Sequence, residues 1–177
     1  PFWLENPGSK HIKQGIWIPR IIDPVITGIH CIIKSDINND GRPNLIINNF
    51  QPEEGLRDSI AWYSIPKNPR RATQWDRHIF ADGDARGGSH YMGAGDINGD
   101  GFDDFIVGAF QDDPNGSSSG ASFVVFGKTD GTGIELSNVE AGSGGFVING
   151  VGSYDYSGKS VSNAGDINGD GFDDLIV

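Results

Sequence analysis

One stretch recurs three times in this chain and limits what it can fold into more than any other feature. It reads DINNDGRPNLII from Asp36 to Ile47, DINGDGFDDFIV from Asp96 to Val107, and DINGDGFDDLIV from Asp166 to Val177. The copies begin 60 and then 70 residues apart, so the chain is an array of similar units rather than one irregular domain. Each copy joins a loop rich in Asp, Asn and Gly to a β-branched apolar run, the pattern of a tight turn entering a strand.

The loop carries oxygen ligands at alternate positions. Counted from its first residue, the second copy has Asp96, Asn98, Asp100 and Asp104 at positions 1, 3, 5 and 9, and Phe102 offers a backbone carbonyl at position 7. Hard cations such as Ca2+ take about six to eight oxygens, and alternate residues of a tight loop can aim theirs at one point. Gly101 at position 6 permits the sharp turn, because glycine tolerates positive φ. The third copy repeats the set as Asp166, Asn168, Asp170, Phe172 and Asp174. The first keeps Asp36, Asn38 and Asp40, puts Arg42 at the carbonyl position, and has Asn44 in place of the last carboxylate. With one anionic ligand fewer, it is expected to be the weakest of up to three Ca2+ sites.

An EF-hand is excluded by position 12. That loop requires a bidentate Glu there, whereas these copies have Ile47, Val107 and Val177. A metal-free Asp/Asn/Gly turn is the plain alternative, and threefold recurrence of one ligand spacing weighs against it.

DxNxDGxxD followed by an apolar strand resembles the FG-GAP repeats of integrin alpha-type β-propellers and the related VCBS repeats. Gly108-Ala109-Phe110 stands where those repeats have GAP, and Phe126-Gly127 supplies the FG. Residues 121–177 resemble a bacterial FG-GAP repeat, and residues 1–101 the VCBS style, with Trp-bearing strands and Gly-x-His before the loop. The two styles meet near DINGDGFDD, identical at 96–104 and 166–174, where a splice would leave the loop intact; drift among repeats is the alternative. The resemblance implies an all-β β-propeller of four-stranded antiparallel blades. It does not imply one activity, since such a fold hosts many.

Composition agrees with an all-β repeat array: Gly is abundant and long helix-forming segments are missing. The net charge of −11 argues against nucleic acid as a partner, because phosphate binding needs a basic surface. Ten of the 24 acidic residues lie in the three loops, so bound cations would offset much of that charge. Cys31 is the one cysteine, which rules out an intrachain disulfide and suggests a buried, inert thiol. No apolar run approaches the roughly 18 residues of a membrane span. Loops of this ligand set suit millimolar calcium, and a secreted or cell-surface setting is expected. Asn115-Gly116-Ser117 is a glycosylation sequon, a weak signal by itself.

Taken in order, with blade strands named A to D and the loop between A and B, residues 1–22 supply strands C and D. Residues 28–80 supply a blade, residues 88–148 another, and residues 158–177 strands A and B. That is three blades' worth of strands, with the first and last half built. Closed propellers usually have about four to eight blades, and open ends would leave raw strand edges. Either the chain is part of a longer propeller, or two copies self-associate to close one ring; its abrupt ends favour the first.

Catalytic and ligand-binding candidates are sparse. His30 and His90 precede their loops by the same interval, where the third copy has Ser160. His90-Tyr91 is a conceivable acid/base pair for a polysaccharide lyase, but recurrence at one blade position speaks for packing. Trp3, Trp17, Trp62 and Trp75 suit either sugar stacking or the core between blades, and Arg70-Arg71 either a polar rim or a solvated turn. The expected function is a calcium-binding scaffold for extracellular binding or adhesion to a protein or glycan. A lectin propeller and the propeller portion of a carbohydrate-active lyase or dehydratase stand as alternatives.

Overall fold

The computed structural model describes the backbone of every residue except 10, 12, 14, 16, 50–58, 83–90 and 129–133, and all their side chains except those of 59 and 80–82. The described residues form twelve strands: β1 (Phe2–Glu5), β2 (Ile18–Ile21), β3 (Ile29–Ser35), β4 (Asn44–Asn49), β5 (Ser59–Ser64), β6 (Asp76–Asp82), β7 (Met92–Gly95), β8 (Asp104–Ala109), β9 (Ala121–Val125), β10 (Gly145–Asn149), β11 (Ser162–Gly165) and β12 (Asp174–Ile176). A five-residue helix, α1 (Leu136–Glu140), lies between β9 and β10. It has no side-chain N-cap and no acidic first turn, which is why the sequence gives no sign of it.

The all-β expectation holds. Strands β3-β4-β5-β6 and β7-β8-β9-β10 form two four-stranded sheets, each an antiparallel meander of the form of a propeller blade, and β1-β2 and β11-β12 form two-stranded sheets. These sheets do not close a ring among themselves.

Sheets stack face to face because strand side chains alternate. In β4, Ile46 points into one core and Ile47 into another; in β5, Ile60 and Trp62 share the first core while Ala61 and Tyr63 share the second. The first core also takes Met92, Phe105, Val107, Phe123 and Val125, so it joins the two four-stranded sheets. The second takes Ile22, Ile26 and Trp75, with Trp3 packed against them, and joins β1-β2 to its neighbour. A third, of Ile106, Val124 and Val161 with Leu175 against it, joins β11-β12 to the other side. Central strands buried on both faces must read as continuous apolar runs, as LII, FIV and FVV do.

Glycine sets the spacing between neighbouring sheets where strands come closest. A Cβ on Gly108 would lie 1.9 Å from the Gly158 carbonyl, and one on Gly93 would lie 2.5 Å from the Asn163 nitrogen. The glycine of the GAP tripeptide is therefore a contact between repeats.

Beneath the second core, the buried Asp23 accepts hydrogen bonds from the Val25 amide (2.7 Å), the Tyr63 hydroxyl (2.9 Å) and Arg77 (3.2 Å). Burial alone would raise its pKa, but these donors outweigh it and hold the carboxyl below the ordinary range. Burial and the same carboxylate push the Tyr63 phenol upward.

Phe105 is fully buried whereas Ile32 is half exposed. Phe105→Ala is expected to cost about 3–5 kcal/mol and Ile32→Ala roughly 1 kcal/mol or less, measured from denaturant midpoints. Equal losses would contradict the alternation of cores.

Candidate metal centre

The three ligand-rich loops link β3 to β4, β7 to β8, and β11 to β12, and each folds by turning its oxygen side chains onto its own backbone. In the second loop Asp96 accepts the amides of Gly99 (2.8 Å) and Gly101 (3.0 Å), Asn98 that of Asp100 (2.9 Å), and Asp100 that of Phe102 (2.9 Å). Gly101 has φ of 87°, the left-handed region the sequence reading required of it. The third loop repeats these bonds: Asp166 with Gly169 (2.7 Å), Asp170 (3.0 Å) and Gly171 (2.9 Å), Asn168 with Asp170 (2.9 Å), and Asp170 with Phe172 (3.0 Å). In the first loop, Asp36 accepts from Asp40 (3.0 Å) and Gly41 (2.8 Å), and Asp40 from Arg42 (2.9 Å).

Position 9 anchors the loop from its far end. Asp104 accepts the amides of Ile97 (3.0 Å) and Asn98 (3.1 Å) on one oxygen and that of Gly127 (2.9 Å) on the other. Gly127, from the FG dipeptide at the end of β9, must be glycine to do this, because a Cβ there would lie 2.4 Å from the Asp103 carbonyl. Asp174 takes the equivalent bond from Ile167 (2.9 Å). The sequence named FG as a hallmark but gave no hint that it caps a loop carboxylate.

Matching aspartates lie in contrasting surroundings. Burial lifts the Asp104 carboxyl to about 6, with the nearby Asp100 adding to the rise and the Gly127, Asn98 and Ile97 amides opposing it. Asp166, on the surface, is held below its ordinary value, chiefly by the Gly171 amide.

Among the described residues no three carboxylate, imidazole or thiol groups converge on one point by themselves; the carboxylates at positions 1, 5 and 9 are instead occupied by backbone amides. The donor set nevertheless fits a hard cation. A carboxylate that accepts one or two N–H groups keeps lone pairs for a further partner. More tellingly, the side-chain oxygens of Asn38 and Asn44, positions 3 and 9 of the first loop, are buried and accept no hydrogen bond. Asn44 is 3% exposed, which shuts its side chain off from bulk water. Two orphaned acceptors at two ligand positions are what a loop built around a cation leaves when described without one.

Contacts also run from loop to loop. Asn39 donates to the Gly101 carbonyl (2.7 Å), and Ser35 donates to Asp103. The Asp173 amide donates to the Asp96 carbonyl (3.0 Å), and Asn163 donates both to Asp173 (2.9 Å) and to the Ala94 carbonyl (2.6 Å). The Phe172 ring lies over Gly99, where a Cβ would meet it at 2.3 Å. Position 8, Asp103 or Asp173, accepts from Ser35 or Asn163 and was not among the ligand positions expected from the sequence. The doubled Asp in both DDFIV and DDLIV was the available signal.

The remaining candidates fall elsewhere. His90 lies outside the described residues. His30 and Ser160 are exposed, and His30 sits at a bulge between Ile29 and Cys31 in the pairing of β3 with β4. Trp62 and Trp75 are buried in the cores, with Trp62 stacked on His78 at 3.9 Å; Trp17 is exposed. Arg70 pairs with Glu5 (2.8 Å). The Cys31 thiol is half-buried, and burial raises its pKa. The Asn115 side-chain amide donates to the Gly150 carbonyl (2.8 Å).

Because Asp104 binds its proton more tightly folded than unfolded, its contribution to stability is full below its ordinary value of 3.8 and lost as pH rises through about 6. In chelator, the wild-type chain is therefore expected to lose stability relative to Asp104→Asn between about pH 4 and pH 7. Parallel pH profiles of the two denaturant midpoints would contradict this.

No curated protein matches the chain. A family model described as FG-GAP repeat matches residues 92–125, the span of β7, β8 and β9 with the loop 96–104 between the first two. Residues 92–125 thus carry an FG-GAP repeat, and the two four-stranded antiparallel sheets have the form of propeller blades.

Proposed function

We propose that the chain is a calcium-stabilised scaffold for binding or adhesion outside the cell, with one Ca2+ held in each of the loops 36–44, 96–104 and 166–174. The ligands are Asp36, Asn38, Asp40, the Arg42 carbonyl and Asn44; Asp96, Asn98, Asp100, the Phe102 carbonyl and Asp104; and Asp166, Asn168, Asp170, the Phe172 carbonyl and Asp174. The observation that carries the reading is the pair of buried, unpartnered oxygens on Asn38 and Asn44. The cation supplies charge neutralisation and a rigid hairpin; the chain's residues supply hard oxygen donors and a glycine-permitted turn. An extracellular setting is supported by the match of such ligand sets to millimolar calcium. Among the described residues no helix is long and apolar enough to cross a membrane. Among the described residues β1 and β12 each pair along one edge only, and further propeller strands would add there, whether from a longer chain or from a second copy.

Saturating calcium is expected to stabilise the chain by about 2.7 kcal/mol per site at a hundredfold excess over Kd, or roughly 5–10 °C in Tm. Asp100→Ala and Asp170→Ala should each remove more of the increment between calcium and chelator than Asn44→Ala does. Taking that increment cancels the packing loss of the buried Asn44. Identical melting curves in calcium and in excess chelator would sink the proposal.

A further inference from the structure

The cation loops touch each other, and at both junctions the contact falls on residues next to ligands. Between the first and second loops, Asn39, flanked by ligands Asn38 and Asp40, donates to the carbonyl of Gly101, flanked by Asp100 and Phe102. Ser35, just before the ligand Asp36, donates to Asp103, just before the ligand Asp104. Between the second and third, the ligand Asp96 accepts through its carbonyl from Asp173, next to Asp174, and the side chain of position-7 Phe172 rests on Gly99. The two junctions are built alike but filled differently. A hydroxyl from Ser35 meets Asp103, whereas the equivalent Gly95 has no side chain, and a Cβ there would collide with both Asn163 (2.0 Å) and Asp173 (2.2 Å). The space is taken by the Asn163 amide, which meets Asp173.

We infer that the three loops bind calcium as a coupled series, with Asp103 and Asp173 as the positioning residues that transmit occupancy from one loop to the next. The inference rests on the calcium reading of the loops. Asp96, Asp100 and Asp104 would hold a cation in loop 96–104, and holding it would fix the Gly101 carbonyl, the Asp96 carbonyl and the Asp103 side chain that the neighbouring loops use. Those loops then meet a partner already ordered and lose less freedom on binding their own ion. The effect is reciprocal by linkage: whatever the second loop does for the first, the first does for the second. Charge acts in the opposite sense, because an ion that neutralises one loop lessens the negative potential drawing a cation to the next, and the measured coupling is the ordering gain less this loss.

The test is a Ca2+ titration of the chain followed by the amide resonances of Gly41, Gly101 and Gly171, one reporter per loop. Disabling the second loop with Asp100→Ala is expected to weaken the first and third by roughly fivefold or more, the usual lower end of such coupling. In a Ser35→Ala background the effect on the first loop should shrink while that on the third persists; Asp103→Asn is the second variant for the same junction. Amide resonances outside the loops report that each variant is folded. If Gly41 and Gly171 titrate unchanged in Asp100→Ala, the loops are independent and the inference fails while the calcium reading stands. If no reporter moves with Ca2+, both fail.

Discussion

Four carboxylates are crowded into each of the turns 96–104 and 166–174, and the rest of the molecule depends on how their mutual repulsion is opposed. Backbone amides do part of it: Asp96, Asp100 and Asp104 between them accept six N–H groups of loop and neighbouring backbone. Hydrogen bonds to a carboxylate favour its charged form, but at Asp104 burial outweighs them and the carboxyl sits at about 6. A divalent cation held there would shift that balance, because opposite charge within a few ångströms favours the ionised carboxylate. The turn matters beyond itself. It sets where β8 leaves the loop, and β8 carries Phe105 and Val107 into one core and Ile106 into another.

Loop and sheet are thus one mechanical unit, repeated. In the sheet β7-β8-β9-β10 the third strand returns through Phe126-Gly127 to cap Asp104 at the start of the second. The GAP glycine lets the next sheet approach to backbone contact. Such a unit packs on its neighbours through both faces, so its stability is partly its own and partly that of its interfaces.

Much of this was legible in the residues. DxNxDGxxD marked the second and third hairpins and DxNxDGxxN the first, and the apolar runs after them marked central strands buried on both faces. Trp62 and Trp75 recurred at repeat spacing as core residues do, and the structure buries both. Three things were hidden. Helix α1 carries no capping signal, and what holds it is tertiary, through the buried Val139. Asp23 reads as an ordinary surface aspartate until Tyr63 and Arg77, 40 and 54 residues away, close over it. The contacts of Asp103 and Asp173 depend on how successive sheets are juxtaposed, which no local pattern encodes.

The central claim is that each loop holds one calcium ion, and counting ions tests it most directly. Native mass spectrometry of the intact chain in calcium, at charge states that preserve the fold, is expected to find three ions per molecule, with Asp100→Ala and Asp170→Ala each losing at least one. A chain that retains no calcium, or one that loses none in either variant, would contradict it.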